Sequence, residues 1–110
     1  MLLKDYPVVL PDYILTLEEL SPENCLFFDI ETTGLSWKTS HLYLLGAVFY
    51  ENETWIHRQW FCQKPGEEKE VLLAFSELLS TKKLLFHYNG TTFDVPYLMH
   101  KYTFYQLPAP

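Results

Sequence analysis

CLFFDIETTGL, residues 25–35, decides how this chain is read, because an apolar run ends there on two acids one residue apart. Leu26, Phe27, Phe28 and Ile30 put apolar side chains on both faces, the pattern of a central strand covered on two sides. Alternate strand residues point the same way, so Asp29 and Glu31 share a side, with Cα atoms ~6.6 Å apart at the usual rise. Two carboxylates this close to an apolar wall repel each other and are poorly solvated, a conflict that a cation resolves. Mg²⁺ and Mn²⁺ suit the task, since they prefer carboxylate oxygens and keep waters that a substrate can displace. The plainer alternative is a strand end running into solvent, where two acids cost little. Gly34 allows a turn directly afterwards.

Upstream, LTLEELSPEN (15–24) predicts one short helical turn, with Thr16 as N-cap and Pro22 as stop. Residues 1–24 are therefore expected to form an N-terminal extension to a domain spanning 25–110. Downstream, residues 42–50 and 54–62 read as two strands joined by the polar Glu51-Asn52-Glu53, which suits a hairpin. The period then changes. Val71, Leu72, Phe75, Leu78 and Leu79 recur at helical spacing, with Glu67, Glu68 and Glu70 in the first turn, where the helix dipole favours anions. LLFHY (84–88) is a short buried strand, and strand–helix–strand implies a parallel pairing. FDVPYLMHKYTFYQL (93–107) predicts a second helix with Val95, Leu98, Met99 and Tyr102 along one side. The order β-β-β-α-β-α is that of a mixed α/β sheet with helices packed on it.

A chain of 110 residues points to one domain, and 48% hydrophobic with 17% aromatic residues exclude a disordered tail. The net charge of −6 lacks the basic balance usual in nucleic-acid-binding domains. That veto is weak, because carboxylates gathered for a metal add negative charge by themselves. Cys25 and Cys62 have no metal-like spacing and sit in apolar stretches, which favours buried free thiols over a disulfide. MLLKDYP meets Lys4 and Asp5 before a signal-peptide core forms, and no apolar run approaches the ~20 residues of a membrane span. A cytoplasmic protein without membrane contact is expected.

The second chemical motif is HYNGTTFDVPYL (87–98). Asn89-Gly90 between β-rich runs is a strong hairpin signal. Pro96, however, would demote the second strand to an edge, and the residues after it run at helical spacing. If a helix starts between Thr92 and Asp94, Pro96 falls in its first turn, where proline is tolerated. Asp94 then lies at the positive end of a helix, and in a parallel sheet three carboxylates converge at the carboxyl edge of the strands, a common place for ligands.

FFDIETTGL resembles the first exonuclease motif of the DEDD superfamily, which has the ribonuclease-H-like fold, and NGTTFD is similar to its second. The nearest likeness is to the YprB-like group of predicted exonucleases, over roughly residues 25 to 106. The resemblance implies hydrolysis of phosphodiesters at the 3′ end of DNA or RNA, with two metal ions ~3.5–4 Å apart at the reacting oxygens. It implies that Asp29 bridges the two ions, that Glu31 binds one, and that Asp94 holds the other through water. Thr32 would present its backbone to the terminal nucleotide, Leu35 would wedge against its base, and Asn89 would fix the loop carrying Asp94. Trp37, Phe93 and Tyr97 are either stacking surfaces for bases or core residues.

The likeness stops before the family's third motif. No Tyr has Asp four residues on, no His has Asp five residues on, and no acid follows Asp94. The chain is thus expected to hold the first two of three motifs, ending before a last strand and helix, and to be inactive alone. An uncovered sheet edge is expected to favour self-association. The alternatives are a nucleic-acid-binding module of the same fold without turnover, and a structural domain whose acids are surface residues.

Overall fold

The computed structural model describes residues 1–8, 21–87 and 93–110. Five strands form one sheet: β1 (Leu2–Val8), β2 (Cys25–Thr32), β3 (Leu42–Glu51), β4 (Thr54–Phe61) and β5 (Leu84–His87), in the spatial order β1-β4-β3-β2-β5. β2, β3 and β4 make the expected antiparallel meander, with Asn52 and Glu53 at positive φ in the tight turn after β3. Helix α1 (Glu68–Leu79) carries the chain across to β5, which pairs parallel with β2. Helix α2 (Val95–Phe104) follows. The central position of β2, between β3 and β5, matches its apolar sequence.

The core lies where one sheet face meets both helices. Leu26, Phe28 and Ile30 of β2, Leu45, Ala47 and Phe49 of β3 and Trp60 of β4 pack there against Val71, Leu72 and Phe75 of α1. Phe28 and Phe75 stack at a tilt with centroids 5.5 Å apart, and Trp60 meets the same Phe75 edge-on at 6.4 Å. Full burial of each such side chain is worth about 1.5–3 kcal/mol, which makes this contact the main anchor of the fold. Helix α2 docks on α1 through Tyr102, whose hydroxyl donates to the Leu72 carbonyl at 2.8 Å and lies 2.7 Å from Ser76 Oγ.

The structure refines three expectations. Residues 2–8, within the expected N-terminal extension, form β1, antiparallel to β4, with Asp5 bridged to Arg58 by two 2.8 Å hydrogen bonds. Lys4, Asp5 and Pro7 hid this strand, yet charge and proline are what an edge strand tolerates. On α2, Leu98 and Tyr102 of the expected apolar stripe are buried and Val95 is half-buried, but Met99 is exposed and Lys101 is buried. Residues 22–24 form a 3₁₀ turn that begins at Pro22, and residues 15–20 of the expected helical turn, with the N-cap at Thr16, lie outside the described residues. Both cysteines are free and buried, as expected.

Candidate carboxylate site

The strand pairing fixes Asp29 from both sides. It lies opposite Gly46 of β3 and one residue beyond the last β2–β5 pair, Phe28 with His87. Alternation along β2 sends Asp29 and Glu31 away from the buried Phe28 and Ile30, and both acids are exposed. The ladder shifts register between Glu31 and Thr32, where the strand ends. Asp94 occupies the N-cap position of α2, with Pro96 in the first turn as anticipated. A helix therefore replaces the second strand of the hairpin alternative.

Asp94 is 4% exposed and its Oδ2 has no hydrogen-bond partner among the described residues. Burial pushes its carboxyl up from 3.8 to about 6, with the neighbouring Asp29 adding through a hydrogen bond and through charge, and Glu31 adding least. The Ile30 N–H acts in the opposite direction on Asp94; it also donates to Asp29 Oδ1 at 2.9 Å. A helix N-terminus stabilises an anion by only about 0.3–1 kcal/mol in ordinary cases. A rise of this size corresponds to about 3 kcal/mol, so burial and Asp29 outweigh the helix end.

These side chains fit a hard divalent cation in their donor chemistry, since every donor is a carboxylate oxygen and one, Asp94 Oδ2, is buried and unsatisfied. Gly46, the cross-strand neighbour of Asp29, has no side chain because His57 packs there; a Cβ would come within 3.2 Å of His57 Nε2. The expected three-way convergence is not reached, however. Among the described residues no three of His, Cys, Asp and Glu come close enough together to hold a metal ion. Asp29 and Asp94 are paired, while Glu31 remains in water, where an exposed anion avoids two like charges.

The loop after β2 is tied back on itself. Thr33 N–H donates to the His41 carbonyl and His41 N–H to Thr33 Oγ1, both at 3.0 Å. Thr32 Oγ1 donates to the Gly34 carbonyl at 2.7 Å. Leu35 stands at the loop's tip, 87% exposed. Tyr97 is 3% exposed, with its hydroxyl 2.8 Å from Ser40 Oγ, so it is a core residue and offers no face to a base. Phe93 is half-buried against Tyr97. Trp37 is half-buried and lies parallel to His100, with an interplanar angle of 6° and centroids 5.0 Å apart. Asn89 lies outside the described residues.

A family model of the RNase H superfamily matches residues 26–110, which include both acids of β2, Asp94 and every strand but β1. The chain belongs to the RNase H superfamily. The protein described as "Uncharacterized protein YprB" from Bacillus subtilis (strain 168) is 32% identical over 93 residues, which cover 83% of this chain and 22% of that protein. The chain thus spans under a quarter of that relative's length. Membership of the RNase H superfamily suggests nuclease-like chemistry on nucleic acid, typically with divalent metals.

One part of this RNase H superfamily domain escaped the sequence reading. Glu68 does more than face the helix dipole: it is buried, accepts from Leu42 N–H at 2.8 Å and from Tyr105 Oη at 2.6 Å, and pairs with Lys101 Nζ at 3.0 Å. Lys101 also donates to the Ser40 carbonyl at 2.9 Å. The network joins the start of α1, the helix led by Asp94, and the loop that follows Asp29 and Glu31. Its signal was a lysine among Tyr97, Leu98 and Tyr102 on one helix face, since a buried cation implies a buried partner.

Proposed function

We propose that this chain is the metal-binding part of a 3′-to-5′ exonuclease acting on DNA or RNA, with Asp29, Glu31 and Asp94 as ligands to Mg²⁺ or Mn²⁺. The observation that carries it is the buried Asp94 carboxyl, set against Asp29 with one oxygen unpartnered. A carboxyl held in that way is an unfavourable arrangement unless a cation or a proton is to be bound there. When bound, two such ions place positive charge at the attacking and leaving oxygens of the displacement. Asp29, the neighbour of Asp94, would be a ligand to both ions. Leu35, exposed at the tip of the loop, would press on a terminal base, and Thr32 and Phe93 flank the acids in sequence. Asn89 would hold the loop before Asp94. The free, buried thiols suit a reducing compartment, and a cytoplasmic location is part of this proposal. No helix of the described residues is long and apolar enough to cross a membrane.

The test uses the full-length gene product on a 5′-labelled single-stranded oligonucleotide with Mg²⁺ or Mn²⁺. A ladder shortening from the 3′ end, abolished by Asp29→Ala, is expected. Intact substrate with either metal contradicts the proposal. The absence of a three-residue metal cluster among the described residues favours one second reading, a module of the same fold that binds nucleic acid without cutting it. Such a module would bind equally well in EDTA and would release no nucleotide.

A further inference from the structure

The fourteen acids of this chain are unevenly placed. None lies between residues 32 and 50, and none follows Asp94. Those two segments meet in space: Lys101 on α2 reaches the Ser40 carbonyl, and Ser40 reaches Tyr97. A chain of net charge −6 therefore carries one surface, made by α2 and the loop after β2, whose exposed charged side chain is Lys38, beside His100, while the buried Lys101 is paired with Glu68.

Aromatic side chains stand on that surface. His100 and Phe104 are one helical turn apart on α2, and Trp37 comes to them from the loop. Trp37 stacks flat on His100, and Phe104 lies 6.2 Å from the indole while remaining 62% exposed. Lys38 Nζ is 5.8 Å from the indole centroid. A cleft of about 470 Å³ runs beside Trp37 and Phe104, and its single carboxylate, Glu68, is the one paired with Lys101. An apolar interface for protein would not need a lysine set beside the indole or the exclusion of every unpaired acid. Stacking rings with flanking cations are what a single-stranded nucleic acid requires, because every base has a face and every step a phosphate.

The patch is also in line with the carboxylates. At 1.5 Å per helical residue, His100 lies ~9 Å and Phe104 ~15 Å along α2 from Asp94, within reach of a short strand whose end sits at the acids. We infer that Trp37, His100 and Phe104, with Lys38, form a stacking platform that holds the single-stranded nucleic acid leading into the Asp29–Asp94 site. The inference rests on the exonuclease reading above and adds how the strand is held. Trp37 is pre-set by His100, so little ordering is lost when a base joins the stack. Lys38, on the exposed loop, supplies the phosphate contact.

Fluorescence anisotropy of the 110-residue chain in EDTA, with a labelled oligothymidylate of ~12 nucleotides, tests this. Phe104→Ala and Trp37→Leu are each expected to weaken binding about tenfold, and Lys38→Ala to reduce the salt slope by ~0.7. Phe104 and Lys38 are exposed, so their variants keep the wild-type melting temperature, and loss of fold cannot mimic the result. Unchanged affinity in Phe104→Ala and Trp37→Leu overturns the platform, as does tighter binding of the same sequence as a duplex. A wild-type chain that binds no strand, and pairs with a protein through these residues, overturns it too. A Mn²⁺-dependent rise in melting temperature reports the carboxylates separately. If that rise persists while the oligonucleotide results fail, only the platform falls; if both are absent in the wild type, the exonuclease reading falls with it.

Discussion

Asp94 is buried against the exposed Asp29, and burial with that neighbour pushes the Asp94 carboxyl up to about 6. An exposed acid can turn its charge to water; the N-cap residue of α2 cannot. This asymmetry gives the metal-free chain a measurable pH signature.

With an ordinary value of 3.8 and a native value of about 6, Asp94 keeps its proton longer in the folded chain than in the unfolded one. Between those values the native state binds more protons, so stability from this group falls as pH rises. The contribution is fully present below ~pH 4 and is lost as pH passes through about 6. Asp94→Asn, which carries no charge, is therefore expected to be more stable than wild type at pH 7.5, by on the order of 3 kcal/mol, and to lose that advantage at pH 4. Urea denaturation in EDTA at both pH values checks this. An equal difference between the two proteins at both pH values would remove the assigned cause.

Lys101→Met leaves Glu68 buried without its cation. A loss of about 3–5 kcal/mol is expected, and the double variant Lys101→Met/Glu68→Gln is expected to recover part of it, because a lone buried charge costs more than none. Denaturant midpoints of the three proteins give the comparison. A single variant within 1 kcal/mol of wild type would show that the pair is solvated after all.

Much of this fold can be read from residues whose local preference and tertiary role agree. The run from Leu26 to Ile30 wants a central strand and is one, and Val71, Leu72 and Phe75 want a buried helix face and have one. Asp29, Glu31 and Asp94 were legible as acids at strand and helix ends. That only two of them meet was not, because the register shift after Glu31 and the burial of Asp94 are tertiary events. β1 was hidden by charges and a proline that make sense only on an edge. Lys101 was hidden because its partner is 33 residues away in sequence.

Among the described residues no strand pairs with the outer side of β5, whereas β1 covers the opposite edge of the meander. Leu85 of β5 is partly exposed. An open strand edge invites pairing with another chain, so self-association that rises with concentration is expected in multi-angle light scattering. A constant monomer mass across a hundredfold concentration range would argue against it.

The 110-residue chain is expected to release little or no nucleotide by itself, since no carboxylate follows Asp94 to complete a four-acid set. Metal-dependent turnover of labelled single-stranded DNA or RNA by this chain, abolished in Asp29→Ala, would refute that expectation.

Asp29 and Asp94, in the proposed function, hold a divalent cation between them. Thermal melting with and without Mn²⁺ at neutral pH tests it most directly, since a ligand bound only by the native state must raise the melting temperature. A rise of several degrees in wild type, lost in both Asp29→Asn and Asp94→Asn, is the predicted result. An unshifted wild-type transition, or a shift that survives in both variants, would contradict it.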